Sequence, residues 1–130
     1  MLRHCSWICY RFDTILLMKQ VTRITVAELT AMAEKMYGSM VKGVVDIEKK
    51  LLVLDAEMHV DEEQYLLEHG SSQKDLWGIN LHPAKFGSDE FIEFDSMVNI
   101  RPSQNNRSRN IDNPEIRVTI QKIISDIVTK

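Results

Sequence analysis

Three arginines lie close together between residues 101 and 109, among serines and asparagines that can donate hydrogen bonds. A guanidinium group is a planar fork of N–H donors that matches phosphate or carboxylate oxygens. The segment leads into a predicted helix, whose free N–H groups favour an anion nearby. The alternative is structural, with arginines pairing with the protein's own acids and polar residues forming turns. The expected ligand-binding residues are Arg101, Ser103, Asn105, Asn106, Arg107, Ser108 and Arg109.

A second group that could do chemistry is formed by Asp55, Glu57 and His59. They occupy alternate positions of a predicted strand, so their side chains would project from one face. Two carboxylates and an imidazole can ligate Zn²⁺, Mn²⁺ or Fe²⁺, or act as an acid–base pair. The same spacing is typical of the solvated face of an antiparallel sheet, and that interpretation predicts no resident metal or cofactor.

Other residues suggest little chemistry. A tryptophan on a strand, such as Trp77, is typical of a core, although stacking on a ligand together with His82 is an alternative. The cysteines are Cys5 and Cys9, which provide neither a disulfide framework nor a zinc-ribbon spacing. No glycine-rich phosphate motif and no nucleophile elbow occurs in the sequence.

Length and composition are those of one globular domain. The chain has 130 residues, of which 44% are hydrophobic and 27% charged. The formal net charge of −3 gives no reason to expect non-specific DNA binding. Residues 1–17 lack a regular apolar period, and Arg11 and Asp13 interrupt what would be a secretory apolar run. We therefore expect a cytoplasmic protein without a membrane segment, with a single α+β domain at 18–130 and a non-native or disordered extension at 1–17.

The patterning predicts an α+β fold with the order α-β-β-α-β-β-α. The capping box of Thr25 and Glu28 predicts the first helix, and Asn113 followed by Pro114 predicts the start of the last. Two hairpins joined by a helix indicate a four-stranded, mainly antiparallel sheet with helices on one face. The predicted helices are 26–37, 61–69 and 114–128, and the predicted strands are 40–47, 51–59, 76–81 and 91–100.

Three stretches of the chain carry a family resemblance. They are 44–57, the run "HVDEEQYLLEHGSSQKDLWGINLHP" from His59 to Pro83, and "IEFDSMVNIRPSQNNRSR" from Ile92 to Arg109. Together they resemble a family of short prokaryotic proteins catalogued as a domain of unknown function, number 5674. The likeness extends from about Thr25 to the C-terminus. It implies no activity and no catalytic residue.

Three functions are therefore open. The leading hypothesis is a module that binds an anionic ligand, such as a nucleotide, RNA or a phosphorylated metabolite, through loop 101–109. The alternative is a metal-dependent hydrolase that uses Asp55, Glu57 and His59. A third is an interaction protein that works as a homodimer.

Overall fold

The computed structural model describes residues 19–130. The extension proposed at 1–17 lies outside the described residues, as do Cys5 and Cys9. The helices are α1 (Val26–Met36), α2 (His59–Glu68) and α3 (Pro114–Ile127). The strands are β1 (Lys19–Val21), β2 (Ile24–Thr25), β3 (Val41–Asp46), β4 (Leu51–Leu54), β5 (Leu76–Leu81), β6 (Ile92–Glu93) and β7 (Val128–Thr129).

The main sheet is antiparallel throughout and has the order β1-β4-β3-β5-β6. The α+β class and the mainly antiparallel pairing are therefore confirmed, but the predicted count of four strands is wrong. The added strand is β1, which pairs with β4 and was too short to show a period in the sequence. A separate parallel pair, β2 with β7, joins the start of α1 to the end of α3.

The first and last helices, α1 and α3, begin where their capping residues predict. The Thr25 hydroxyl accepts from the Glu28 N–H, and the Glu28 carboxylate accepts from the Thr25 N–H. At α3, the side chain of Asn113 accepts from the N–H of Glu115, and Pro114 occupies the first turn. The capping side chains accept hydrogen bonds from first-turn N–H groups, which have no partner within the helix.

Helices cover both faces of the sheet, so the prediction of helices on one face is wrong. Alternate residues of β3 point to opposite faces. Val45 packs in the larger cluster with residues of α1 and α3, whereas Val44 packs with Val53 and with Leu66 of α2. The face covered by α2 is the one that was expected to be solvated. It is apolar in its middle, and its polar residues lie toward the ends of the strands.

Two predicted strands are much shorter than expected. β4 ends at Leu54, because Asp55 has a φ of 75° and turns the chain out of the sheet. Helix α2 then begins at His59, not at Asp61, and no side chain caps it. The last predicted strand, 91–100, is reduced to Ile92–Glu93.

An asparagine side chain replaces the missing part of the last strand. Asn99 accepts from the N–H of Gly78 (2.8 Å) and donates to its carbonyl (2.9 Å), so one amide completes the edge of β5. Gly78 permits this approach, since a Cβ there would lie 2.6 Å from the Ser96 side chain. The segment after β6 therefore crosses β5 as a 3₁₀ turn, Met97–Asn99, instead of pairing as a strand.

None of the helices described in residues 19–130 is long and apolar enough to cross a membrane.

Candidate functional site

A cleft of about 430 Å³ opens on the α2 face of the sheet, at the end where β3 begins. Its floor is formed by β3, β5 and β6, and its walls by the start of α2 and the segment 95–98. Its volume falls in the ordinary range of small-molecule sites, about 300–1,000 Å³. The residues that line it are Met40, Lys42, Met58, His59, Val60, Asn80, Glu93, Asp95, Ser96, Met97, Val98 and Arg109.

The floor is a row of three polar side chains on neighbouring strands. Lys42 of β3 is the register partner of Asn80 in β5, and Asn80 is the register partner of Glu93 in β6. The Asn80 amide nitrogen donates to Glu93 Oε1 (3.0 Å) and to the carbonyl of Asp95 (3.2 Å). A cation, an amide and a carboxylate are thus fixed in this order across the sheet.

The N-terminus of α2 lies over this row. Met58, His59 and Val60, the N-cap and first two residues of the helix, all line the cleft. Met58 has no side chain that could accept from the first-turn N–H groups. Such N–H groups carry a partial positive charge and favour an anion.

His59 lines the inner wall of the cleft and is 8% exposed. Its Nε2 lies 2.7 Å from the carbonyl oxygen of Ile79, which can only accept, so Nε2 carries the proton. Burial lowers the pKa of His59, the hydrogen bond to Ile79 opposes that shift, and the charge of Lys42 adds to it. The neutral Nε2–H tautomer is favoured, which leaves the lone pair on Nδ1.

Lys42 is the cation that the cleft does not neutralise. Among residues 19–130, no carboxylate forms an ion pair with it. Its Nζ lies 4.8 Å from the centre of the Tyr37 ring, a cation–π distance. The nearby carboxyl of Glu62 is fully buried, and burial raises its pKa well above the usual range. Burial thus disfavours the charged form of Glu62, while the N–H of Ala56 and the charge of Lys42 oppose that shift.

The two acids of the cleft already have partners. Glu93 accepts from Asn80 and lies 3.1 Å from Nε2 of His82. Asp95 forms an ion pair with Arg109, with Nε 2.5 Å from Oδ1. Arg109 balances the charge of Asp95. Glu93 is balanced only when His82 is protonated, so Lys42 and Glu93 place a cation and an anion at opposite ends of the row.

Within the predicted loop, Arg101 is a structural residue. It is 7% exposed, and its guanidinium donates to the carbonyls of Gln73, Leu76 and Val98. The Glu63 carboxylate lies 3.5 Å away, and Cζ lies 4.6 Å from the centre of the Trp77 ring. Burial lowers the pKa of Arg101 and the charge of Glu63 opposes this. These contacts occupy the donors that a ligand would need.

The other loop residues divide into three groups. Asn106 is buried, and its amide donates to three backbone carbonyls and accepts from the N–H of Asp112. Arg109 is exposed and lines the cleft. A ligand role for the remaining four stays a prediction. These four are exposed on the loop: Ser103, Asn105, Arg107 and Ser108.

The fold does not bring Asp55, Glu57 and His59 onto one strand face, so that premise is wrong. Asp55 has left the strand, Glu57 is exposed before α2, and His59 belongs to the helix. In the part of the chain that the structure describes, no three His, Cys, Asp or Glu side chains are arranged to hold a metal ion. Trp77 is a core residue, 1% exposed, as the strand pattern predicts.

Sequence reasoning missed Lys42, Asn80 and Glu93. Their alternation with apolar neighbours is the signal that assigns them to one face of their strands. The register that aligns them was not available from the sequence, because it depends on pairing between distant segments.

Residues 17–127 match the model of a family described as "protein of unknown function (DUF5674)". Neither the curated proteins nor the solved structures contain a significant match.

Proposed function

Because this chain belongs to the DUF5674 family, whose function is unknown, its function has to be inferred from the cleft, and we propose that it binds a small anionic molecule there. The observation that carries the proposal is the convergence of Lys42 with the uncapped N-terminus of α2. Lys42 is half-buried and has no ion-pair partner among residues 19–130, and no side chain caps the first turn of α2; both features favour an anion.

The proposal moves the anion site from the exposed part of loop 101–109 to the cleft. Arg109 provides the link between the two, since it belongs to the loop and lines the cleft. Its guanidinium is held by Asp95 through Nε, and a guanidinium has further N–H donors to offer. The cleft therefore supports an anionic ligand, the class that the arginines indicate, at a site formed mainly by residues outside the loop.

A small molecule is favoured over RNA as the ligand. A bounded cleft of about 430 Å³ suits one compact ligand. RNA-binding surfaces combine a basic track with exposed aromatic platforms, whereas the formal net charge here is −3. The metal-dependent hydrolase has no favourable geometry among the described residues, and no observation favours the homodimer.

The test is calorimetric titration of the full chain with inorganic phosphate at low ionic strength. We expect saturable binding that Lys42→Gln weakens about tenfold or more, because one charge-assisted contact is lost. Lys74→Gln is the matched control, since Lys74 is 70% exposed and pairs with the adjacent Asp75. Absence of phosphate binding in the wild type, or equal weakening by both substitutions, would refute the proposal.

A further inference from the structure

The cleft has a donor side and an acceptor side, with Asn80 between them. Lys42 and the start of α2 form the donor side, and the carboxylates of Glu93 and Asp95 form the acceptor side. Lys42 and Glu93 are two strands apart on one face, which at ordinary strand spacing separates their backbones by about 10 Å. A ligand that uses both sides must therefore be longer than a bare phosphate or carboxylate.

The acceptor side is suited to neutral donors. Arg109 already neutralises Asp95, and Glu93 accepts from Asn80 and lies beside His82. A carboxylate has about four acceptor positions, so each of these acids can accept further hydrogen bonds. Hydroxyl groups are neutral donors that can fill these free acceptor positions.

An apolar rim completes the site. Met58, Val60 and Met97 are about half exposed or more, at 55%, 49% and 66%, and all three line the cleft. Methionine side chains adapt their shape to irregular surfaces. The rim can cover the carbon skeleton of a ligand whose polar ends are held at the floor.

We infer that the ligand of this cleft is a polyol phosphate, with its phosphate at Lys42 and the α2 N-terminus and its hydroxyl groups at Glu93 and Asp95. The inference rests on the proposed function and names its ligand class. The phosphate occupies the donor side, and the hydroxyls donate to carboxylates, as ribose hydroxyls donate to acidic residues in dinucleotide-binding sites. A sugar phosphate has this length and this distribution of groups.

The experiment compares ribose 5-phosphate with pentyl phosphate and inorganic phosphate by calorimetry on the wild-type full chain. Ribose 5-phosphate and pentyl phosphate share a phosphate and five carbons but differ in hydroxyl groups. We expect ribose 5-phosphate to bind about tenfold tighter than either of the others, the equivalent of about one hydrogen bond to a charged acceptor. Glu93→Gln keeps an acceptor oxygen for Asn80 while removing the charge, and it should reduce that preference without abolishing phosphate binding.

The outcomes separate the two proposals. If no phosphate compound binds, the proposed function fails. If inorganic phosphate binds but ribose 5-phosphate binds no tighter, the anion site stands and the polyol inference is overturned. Tighter binding of pentyl phosphate would also overturn it, because the apolar rim and not the carboxylates would then select the ligand. The wild-type comparison decides the matter even if the Glu93 variant does not fold.

Discussion

Lys42 and Asn80 are register partners on β3 and β5, and both side chains line the cleft under the N-terminus of α2. This pairing joins the cation to the amide that holds Glu93 and the Asp95 carbonyl in place. The positions of these side chains in the cleft are therefore set by the register of β3 and β5. A slip of one residue would turn every side chain of the slipped strand to the other face of the sheet.

Arg101→Ala should destabilise the protein by about 3 kcal/mol or more, since it leaves Glu63 buried without its cation and three carbonyls without a donor. Urea denaturation measures the effect. Arg107→Ala is the control, because Arg107 is exposed on the same loop and its replacement should change stability by about 0.5 kcal/mol or less. Equal stability of the two variants would contradict a structural role for Arg101.

Glu62→Gln should remove a pH-dependent loss of stability. Burial raises the folded-state pKa of Glu62, so its contribution is complete below the unfolded pKa and is lost as pH rises through the folded one. Glutamine is neutral and of similar size. Urea unfolding across pH 5 to 8 should show the variant gaining stability relative to the wild type as pH rises. A constant difference over that range would show that Glu62 is ionised throughout.

Phosphate should raise the pKa of His59. In the free protein, burial lowers this pKa, so the ring is neutral at neutral pH and stability falls as pH drops below about 6.5. An anion beside the ring favours the imidazolium form. Histidine ring nitrogen NMR reports both the tautomer and the titration. The account predicts the Nε2–H tautomer at pH 7 and an upward shift with phosphate, and an unchanged titration would place the anion elsewhere.

Ile120→Ala should destabilise the protein by about 2–4 kcal/mol, through lost burial and the cavity left behind. Ile120 is fully buried between α3 and the sheet. Val118 lies on the same helix and is 62% exposed, so Val118→Ala should cost much less stability. Denaturation midpoints compare the two, and similar midpoints would mean that α3 is peripheral.

Local signals predicted the parts of the fold that depend on local chemistry. Thr25 with Glu28, and Asn113 with Pro114, specify their helix starts within four residues of sequence, and the alternation in 76–81 matches β5. Where prediction failed, the cause is tertiary. Asp55 adopts a left-handed backbone that ends β4 early, and Asn99 satisfies Gly78 in place of a strand.

The candidate site shows the same division. Residue type alone could not separate the roles of the three arginines in loop 101–109. Arg101 is buried because the carbonyls of Gln73 and Leu76 converge on it only in the folded chain. Glu62 and Glu63 are acidic residues near the start of α2, and their residue type does not predict that both are buried.

The most direct test of the central claim is amide NMR mapping of the full chain during titration with inorganic phosphate. The account predicts that the largest shifts occur at the first turn of α2, at His59, Val60 and Asp61, and at Lys42, and that Lys42→Gln suppresses them. Shifts confined to residues 103–108, with the α2 start unmoved, would contradict it and return the anion site to the exposed loop.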